Sequence, residues 1–365
     1  MIRQTWRLGA AALATGAVLA AGVSPAVASP RVASLKAHDA ASAPYTIYLS
    51  NNFVGNDWRV QMEKEATVAA GLAPFKGKVK LTITNAQNTV PAQISSLQAI
   101  VARKPDAILI DAGSPTALNP TVEKACAAGI VVISFDQVVS ADCAYQVASN
   151  WDTMTHDLAA WLVAAIGGKG KVLLDRGLAG AGISEMLETG YEKVLKDNPG
   201  IEVVGYFNGN YALGPEQSGV ASLLAANPHI DGILTQGYGV GALKALQDAG
   251  RPVVPVTAFS YNISGVTCAQ TPGAKCILGV NPAYLSSEAI KLAVEILDGK
   301  KPASKIIQFE SPRLTTDVLK ADYSKGAELQ KLEIGKNAFP DQPPGLALPI
   351  SPDWVEITAK EAAGS

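Results

Sequence analysis

From residue 45 onward one pattern restricts the fold more than any other feature: short β-branched, apolar runs alternate with longer amphipathic stretches, and the whole series occurs twice. The first series predicts strands over 45–50, 79–85, 107–111 and 130–136, with helices around 58–70, 92–103 and 121–128. The second predicts strands over 171–175, 201–207, 232–236 and 253–259, with helices near 184–196, 216–226 and 240–249. Short, almost wholly apolar strands that each lead into a helix belong to a parallel sheet covered on both faces. Two successive series therefore predict an α/β chain with two similar doubly wound lobes. Between them lie residues 145–150, given no element, and a helix over 152–166; after them come a strand over 277–281, a helix over 286–297 and a strand over 306–309. Past Pro312 the chain is Pro-rich with little periodicity, which predicts an extended appendage packing on the lobes.

Composition narrows the class of function. Of 365 residues 48% are hydrophobic and 17% charged, with a net charge of −2, so neither a disordered chain nor a polybasic nucleic-acid binder fits. The N-terminus has Arg3 and Arg7, an apolar run over 8–23, and Ala26-Val27-Ala28 before Ser29, the parts of a secretory signal cleaved after Ala28. Removing residues 1–28 takes away two basic residues and no acidic one, leaving 28 basic against 32 acidic, a net charge of −4. The four cysteines all lie in the exported part. In an oxidising compartment short loops favour pairing Cys126 with Cys143 and Cys268 with Cys276, although three connectivities are formally open. No Cys-x-x-Cys occurs and neither His156 nor His229 has ligand-like spacing, so no metal is expected.

In parallel α/β sheets ligands sit beyond the carboxyl ends of the strands. Here those positions carry Asn51, Asn52 and Phe53 leading into Asp57-Trp58-Arg59, then 85–88, 111–114, Asp136 with Gln137, 208–211, Gln236 with Tyr238, Ser260 with Tyr261, and Asn281. Asn, Gln, Asp and aromatics dominate. Carboxamides and carboxylates pair with vicinal hydroxyls, and aromatic rings cover the C–H face of a sugar, so such a lining suits a sugar or polyol.

Four stretches carry a family resemblance: the first strand Tyr-Thr-Ile-Tyr-Leu-Ser-Asn-Asn with Trp58-Arg59 opening its helix, 105–110, 129–136, and 229–236. Over about 45–309 the chain resembles the ribose-binding-protein-like, type I periplasmic binding proteins of ABC sugar importers. The resemblance implies two lobes joined by a three-segment hinge, closing on one sugar and delivering it to the transmembrane subunits of a permease. The crossings would fall near Asn150, near Asn281 and near 309–311. The family's ligand carboxylate falls on Asp136, its early Asn on Asn51, Asn52 or Asn56, its second-lobe aromatic on Tyr211, and its polar crossing residue on Asn281 or Val280. Three charged positions depart: Gln137 and Glu185 stand where Arg is frequent, and Ser260 where Asp is. Trp58-Arg59 offers a compensating pair, similar to furanose-binding relatives.

The expected partition is a signal over 1–28, one lobe from 44–149 with 282–310, a second over 150–281, and an extension over 311–365. The expected ligand contacts are Asn52, Trp58, Arg59, Asp136, Gln137 and Asn150 on one side. Tyr211, Gln236, Tyr238, Ser260, Tyr261 and Asn281 complete them. A monomeric periplasmic binding protein without cofactor or enzymatic activity is expected. The rival is a nucleotide-binding enzyme: Gly237-Tyr-Gly-Val-Gly-Ala fits the dinucleotide pattern, but no acidic residue stands about 20 positions on. A nucleoside-type ligand is the alternative to a sugar. A sugar-responsive repressor is excluded, since an export signal stands where its helix-turn-helix would be.

Overall fold

The structure, a computed structural model, describes residues 43–259, 261–310, 313–317, 319 and 342–364. The signal over 1–28, Ser260 and most of 311–341 fall outside the described residues. Chain order within the described body is β1 (Tyr45–Asn51), α1 (Asp57–Gly71), β2 (Val79–Asn85), α2 (Val90–Ala102), β3 (Ala107–Asp111), α3 (Asn119–Ala127), β4 (Val131–Phe135) and β5 (Tyr145–Ser149). Then follow α4 (Trp151–Ala165), β6 (Gly170–Asp175), α5 (Gly182–Lys196), β7 (Ile201–Phe207), α6 (Leu213–Ala226), β8 (Gly232–Leu234), α7 (Val240–Asp248) and β9 (Val256–Phe259). The remaining elements are α8 (Asn262–Gln270), β10 (Cys276–Gly279), α9 (Leu285–Leu297), β11 (Ile306–Phe309), β12 (Arg313–Thr315) and, last, α10 (Ala359–Ala363).

The strands form two six-stranded sheets, ordered β11-β5-β4-β3-β1-β2 and β12-β10-β9-β8-β6-β7. Every pair is parallel except β10 with β12. The central strands β3 and β4 are buried along their whole length, which is why their sequences are apolar apart from Asp111 and Ser134 rather than alternating. In the first sheet Ile47, Leu49, Leu109 and Ile133 are fully buried, and in the second Leu174, Ile233, Leu234 and Ala258 are. The chain passes between the sheets after β5, after β10 and after β11, so the two α/β lobes share three crossings.

Local chemistry sets the helix starts. Asn56 caps α1 by accepting the Arg59 N–H at 2.9 Å, Thr89 caps α2, and Asn150 caps α4. Both disulfides are present, Cys126–Cys143 between α3 and the loop before β5, and Cys268–Cys276 between α8 and β10. No helix among the described residues is long and apolar enough to cross a membrane.

Three differences from expectation have physical causes. Residues 313–315, read as part of an appendage, form β12, because β10 would otherwise present an unpaired edge. Helix α8 went unpredicted, since Ser264, Gly265 and Thr267 are weak helix formers held by burial on one side and the Cys268 bridge. Strand β9 starts at Val256 rather than 253, because Pro255 has no N–H to donate to a neighbouring strand.

Candidate functional site

Residues just beyond the carboxyl ends of the parallel strands in both lobes converge on one cavity of about 410 Å³. It lies near the lower end of the roughly 300 to 1,000 Å³ range of small-molecule sites. Its lining includes Asn52 after β1, Asp136 after β4, Tyr211 after β7, Gln236 after β8, Tyr261 after β9 and Asn281 after β10.

A buried guanidinium organises the first lobe's side. Arg59 is 3% exposed and makes an ion pair with Asp111 through Nη1, which also donates to Asn51 Oδ1 at 2.9 Å. Its Nη2 faces Asp136 Oδ2 at 3.7 Å. Gln137, oriented so that its amide nitrogen donates to the Ala112 carbonyl at 3.1 Å, turns its oxygen to the same guanidinium. Burial draws Arg59 below the usual guanidinium range, against the pull of Asp136. Burial likewise raises Asp136, opposed by Arg59 and by the amide of Asn281. Asp136 itself holds a left-handed backbone, φ 55°, which turns its carboxylate off the end of β4 into the cavity.

Asn281 ties this cluster to the crossings. Its Nδ2 donates to Asp136 Oδ1 at 3.0 Å, its Oδ1 accepts from the Ser149 hydroxyl at 2.8 Å, and its carbonyl accepts the Trp58 indole N–H at 2.9 Å. Asn52 lines the cavity with a buried Oδ1 that has no protein donor. It fits because residue 113 is glycine: a Cβ there would land on the Asn52 carboxamide.

In the second lobe Asp175, fully buried, gathers three loops by accepting the N–H groups of Gly177 and Gly209 at 2.8 Å and of Gln236 at 3.0 Å. Gln236 donates to the carbonyls of Asp175 and Ser184 at 3.0 Å, while its Oε1 accepts the Tyr211 hydroxyl at 3.2 Å. Aromatic surface comes from Trp58, Tyr211 and Tyr261, together with Trp151 and Phe259, whose rings meet edge to face at 6.2 Å.

The cavity lining thus contains Asn52, Trp58, Arg59, Asp136, Gln137, Tyr211, Gln236, Tyr261 and Asn281. Asn150 lies outside it: its side chain caps α4 and donates to Glu310 Oε1 at 2.6 Å, joining the first and third crossings. Tyr238 also lies outside, because its ring stacks on Tyr261 at 4.1 Å and its hydroxyl donates across the lobes to Asp57 Oδ2 at 2.8 Å. Ser260 falls outside the described residues. Sequence reasoning left out Trp151, Phe259 and Ala347, all in the lining, and the supporting carboxylate Asp175, while it placed Asp111 at a strand end without naming it as a contact. Trp151 had a signal, since it follows the crossing at Asn150; Ala347 had none.

The glycine-rich turn Gly237-Tyr-Gly-Val-Gly-Ala does open a helix, α7, but its N-terminus is filled by the protein itself. Buried Glu216 accepts from the N–H groups of Gly239 at 3.1 Å and Ala242 at 3.0 Å, where a phosphate would sit. Gly241 lets α6 approach, since a Cβ there would meet the backbone of Leu213 and Gln217. A nucleotide-binding enzyme is therefore not what this motif encodes. Among the described residues no cluster of His, Cys, Asp and Glu could hold a metal ion.

Two sheets whose strand ends face a shared cleft define a two-lobed solute receptor. A profile described as "Periplasmic binding protein domain" matches residues 47–301, and the chain belongs to that family. It is 24% identical over 260 residues to the ribose import binding protein RbsB of Bacillus subtilis, covering 70% of this chain and 83% of that protein. With the xylitol-binding protein of Mycolicibacterium smegmatis it shares 25% identity over 202 residues, 53% of this chain and 56% of that one. A solved ABC transporter solute binding protein from Thermobispora bispora superposes with a TM-score of 0.66 at 28% identity, covering 73% of this chain and 84% of that one.

Proposed function

We propose that this chain is an exported receptor that captures an uncharged sugar or polyol between its lobes and delivers it to an ABC-type permease. One observation carries the reading. The charged side chains of the lining are Arg59 and Asp136, opposite in sign, and Arg59 is already engaged by Asp111. A phosphate or carboxylate would find no unengaged cation in this lining, whereas hydroxyls find Asn52, Gln137 and the outer edges of the Asp136–Asn281 pair. The aromatic rings from both lobes supply apolar surface for a sugar's C–H face. Relatives named for ribose import and for xylitol binding point the same way.

On this reading the lobes close about their crossings, expel water and satisfy the ligand's hydroxyls from both sides, so the ligand shifts an open–closed equilibrium. The paired cysteines and the leader over 1–28 suit the periplasm, the chain acts as a monomer without cofactor, and it catalyses no reaction. Calorimetry with a panel of pentoses, hexoses and alditols against their phosphates and against nucleosides tests this. The expected outcome is binding confined to the uncharged sugars and polyols; preference for a nucleoside or a sugar phosphate would overturn it.

A further inference from the structure

The described end of the chain touches both lobes. On the first-lobe side Gln61 of α1 grips the backbone of Ala347 twice: the Ala347 N–H donates to Gln61 Oε1 at 2.6 Å, and Gln61 Nε2 donates to the Ala347 carbonyl at 2.7 Å. The amide is held in that orientation by a second bond from Nε2 to Glu65 Oε1 at 2.7 Å. On the second-lobe side the same run pairs with the chain that leaves β9. Tyr261 and Ala347 form an antiparallel bridge, the Asn262 N–H donates to the Leu346 carbonyl at 2.8 Å, and the Ile263 N–H donates to the Pro344 carbonyl at 2.9 Å. Further on, Trp354 returns to the first lobe, donating to Glu288 Oε1 at 2.9 Å and meeting the Phe75 ring edge to face at 5.0 Å.

Leu346, Ala347 and Leu348 are 3%, 2% and 1% exposed, so this run is core rather than surface. Ala347 also lines the cavity, although the family profile ends at residue 301. We propose that residues 342–350 are a strap that restrains the hinge: a fourth chain segment bridging the lobes, beside the ligand cavity, added to the three chain crossings. Its role in ligand retention rests on the reading of the cavity given under Proposed function; its mechanical role does not.

The two seams differ in kind. The second-lobe seam is built on backbone-to-backbone bonds, whereas beside the cavity the first-lobe seam is the Gln61 side-chain amide, with Trp354 on Glu288 and Phe75 farther along the chain. Opening therefore has to break the bonds of the strap at Gln61 or at Tyr261–Ile263. A ligand lying against Ala347 holds those bonds in place.

The test uses full-length protein and Gln61→Met, which keeps the side chain's length and removes both bonds. Small-angle scattering on ligand-free samples is expected to give a radius of gyration near 20 Å for the wild type, rising by on the order of 1 Å in the variant. Hydrogen exchange is expected to find the 345–348 amides protected in the wild type and exposed at least about tenfold more in Gln61→Met. With xylitol as probe, dissociation from the variant should be at least about tenfold faster. An unchanged radius together with unchanged exchange, or 345–348 amides exchanging at loop rates in the wild type, would overturn the strap. Failure of the wild type to bind xylitol or any other panel member counts against the ligand reading instead, and the scattering and exchange results still decide the strap.

Discussion

The indole N–H of Trp58, in the first turn of α1, donates to the backbone carbonyl of Asn281, 2.9 Å away at the second crossing between the lobes. A cavity-lining aromatic is thereby fixed to a segment that crosses between the lobes. Trp58→Ala removes both the ring surface and this bond and is expected to weaken sugar binding at least about tenfold, roughly 1.4 kcal/mol. Trp58→Phe keeps a ring, so its loss should be smaller. Calorimetry that finds equal affinities for all three proteins would remove Trp58 from the site.

Asp136 combines a cavity-lining carboxylate with a left-handed backbone. Asn tolerates φ 55° far better than Ala. Asp136→Ala is expected to lose affinity at least about tenfold and stability by about 1 kcal/mol, with Asp136→Asn sparing most of the stability. Urea midpoints measured beside binding isotherms separate the two effects.

Gly113→Ala introduces a methyl where the Asn52 carboxamide lies. Displacing that carboxamide costs the site one acceptor while leaving the sheet intact. The expected result is a several-fold rise in Kd, on the scale of one neutral hydrogen bond, about 1 kcal/mol, with a nearly unchanged melting temperature. A fall in melting temperature with no loss of affinity would show that Asn52 is structural.

Glu216 gives the fold a pH dependence. Burial is the main cause of its rise to about 7, only partly offset by the backbone N–H groups it accepts. In the unfolded chain the same carboxyl titrates near 4.3. Between those values the folded state holds a proton that the unfolded state has lost, so stability falls as pH rises from about 4.3 to about 7, by on the order of 3 kcal/mol from this group. Urea midpoints for the wild type and Glu216→Gln at pH 5, 6, 7 and 8 should therefore change relative to one another through that window and run parallel above it. Parallel curves throughout would mean the carboxyl is ionised in both states.

Each disulfide closes a short loop, with sequence separations of 17 and 8 residues. Replacing Cys126 and Cys143 together by Ala is expected to cost about 3 kcal/mol, and Cys268 with Cys276 somewhat less. Neither pair lines the cavity, so ligand affinity in the folded variants should hold. Thermal unfolding and calorimetry on the two double variants check both halves.

The strands and most helices were legible because burial on both faces writes itself as apolar runs and helices as a separate period. Strand-end positions followed from topology, which is why Asn52, Asp136, Tyr211, Gln236 and Asn281 could be named before their distances were known. What stayed hidden depends on contacts remote in sequence. Tyr238 and Tyr261 are alike as strand-end tyrosines, and packing alone puts one in the lining and turns the other's hydroxyl to Asp57. The carboxylates of Asp111 and Asp175 close predicted strands, and their supporting roles depend on Arg59 and the loop amides around them. An alanine in a Pro-rich tail carries no chemical mark at all.

The two edge strands β11 and β12 lie within ten residues of each other, Ile306–Phe309 and Arg313–Thr315, and each seals a different sheet. One short stretch of chain therefore guards two open flanks. Damage there, by proteolysis or by a proline, would bare β5 and β10 at once as templates for pairing with other molecules. The expected failure is self-association, and it would begin close to Asn281 of the cavity lining, since Phe309 of β11 pairs with Ser149, whose hydroxyl donates to Asn281, and Arg313 of β12 pairs with Gly279.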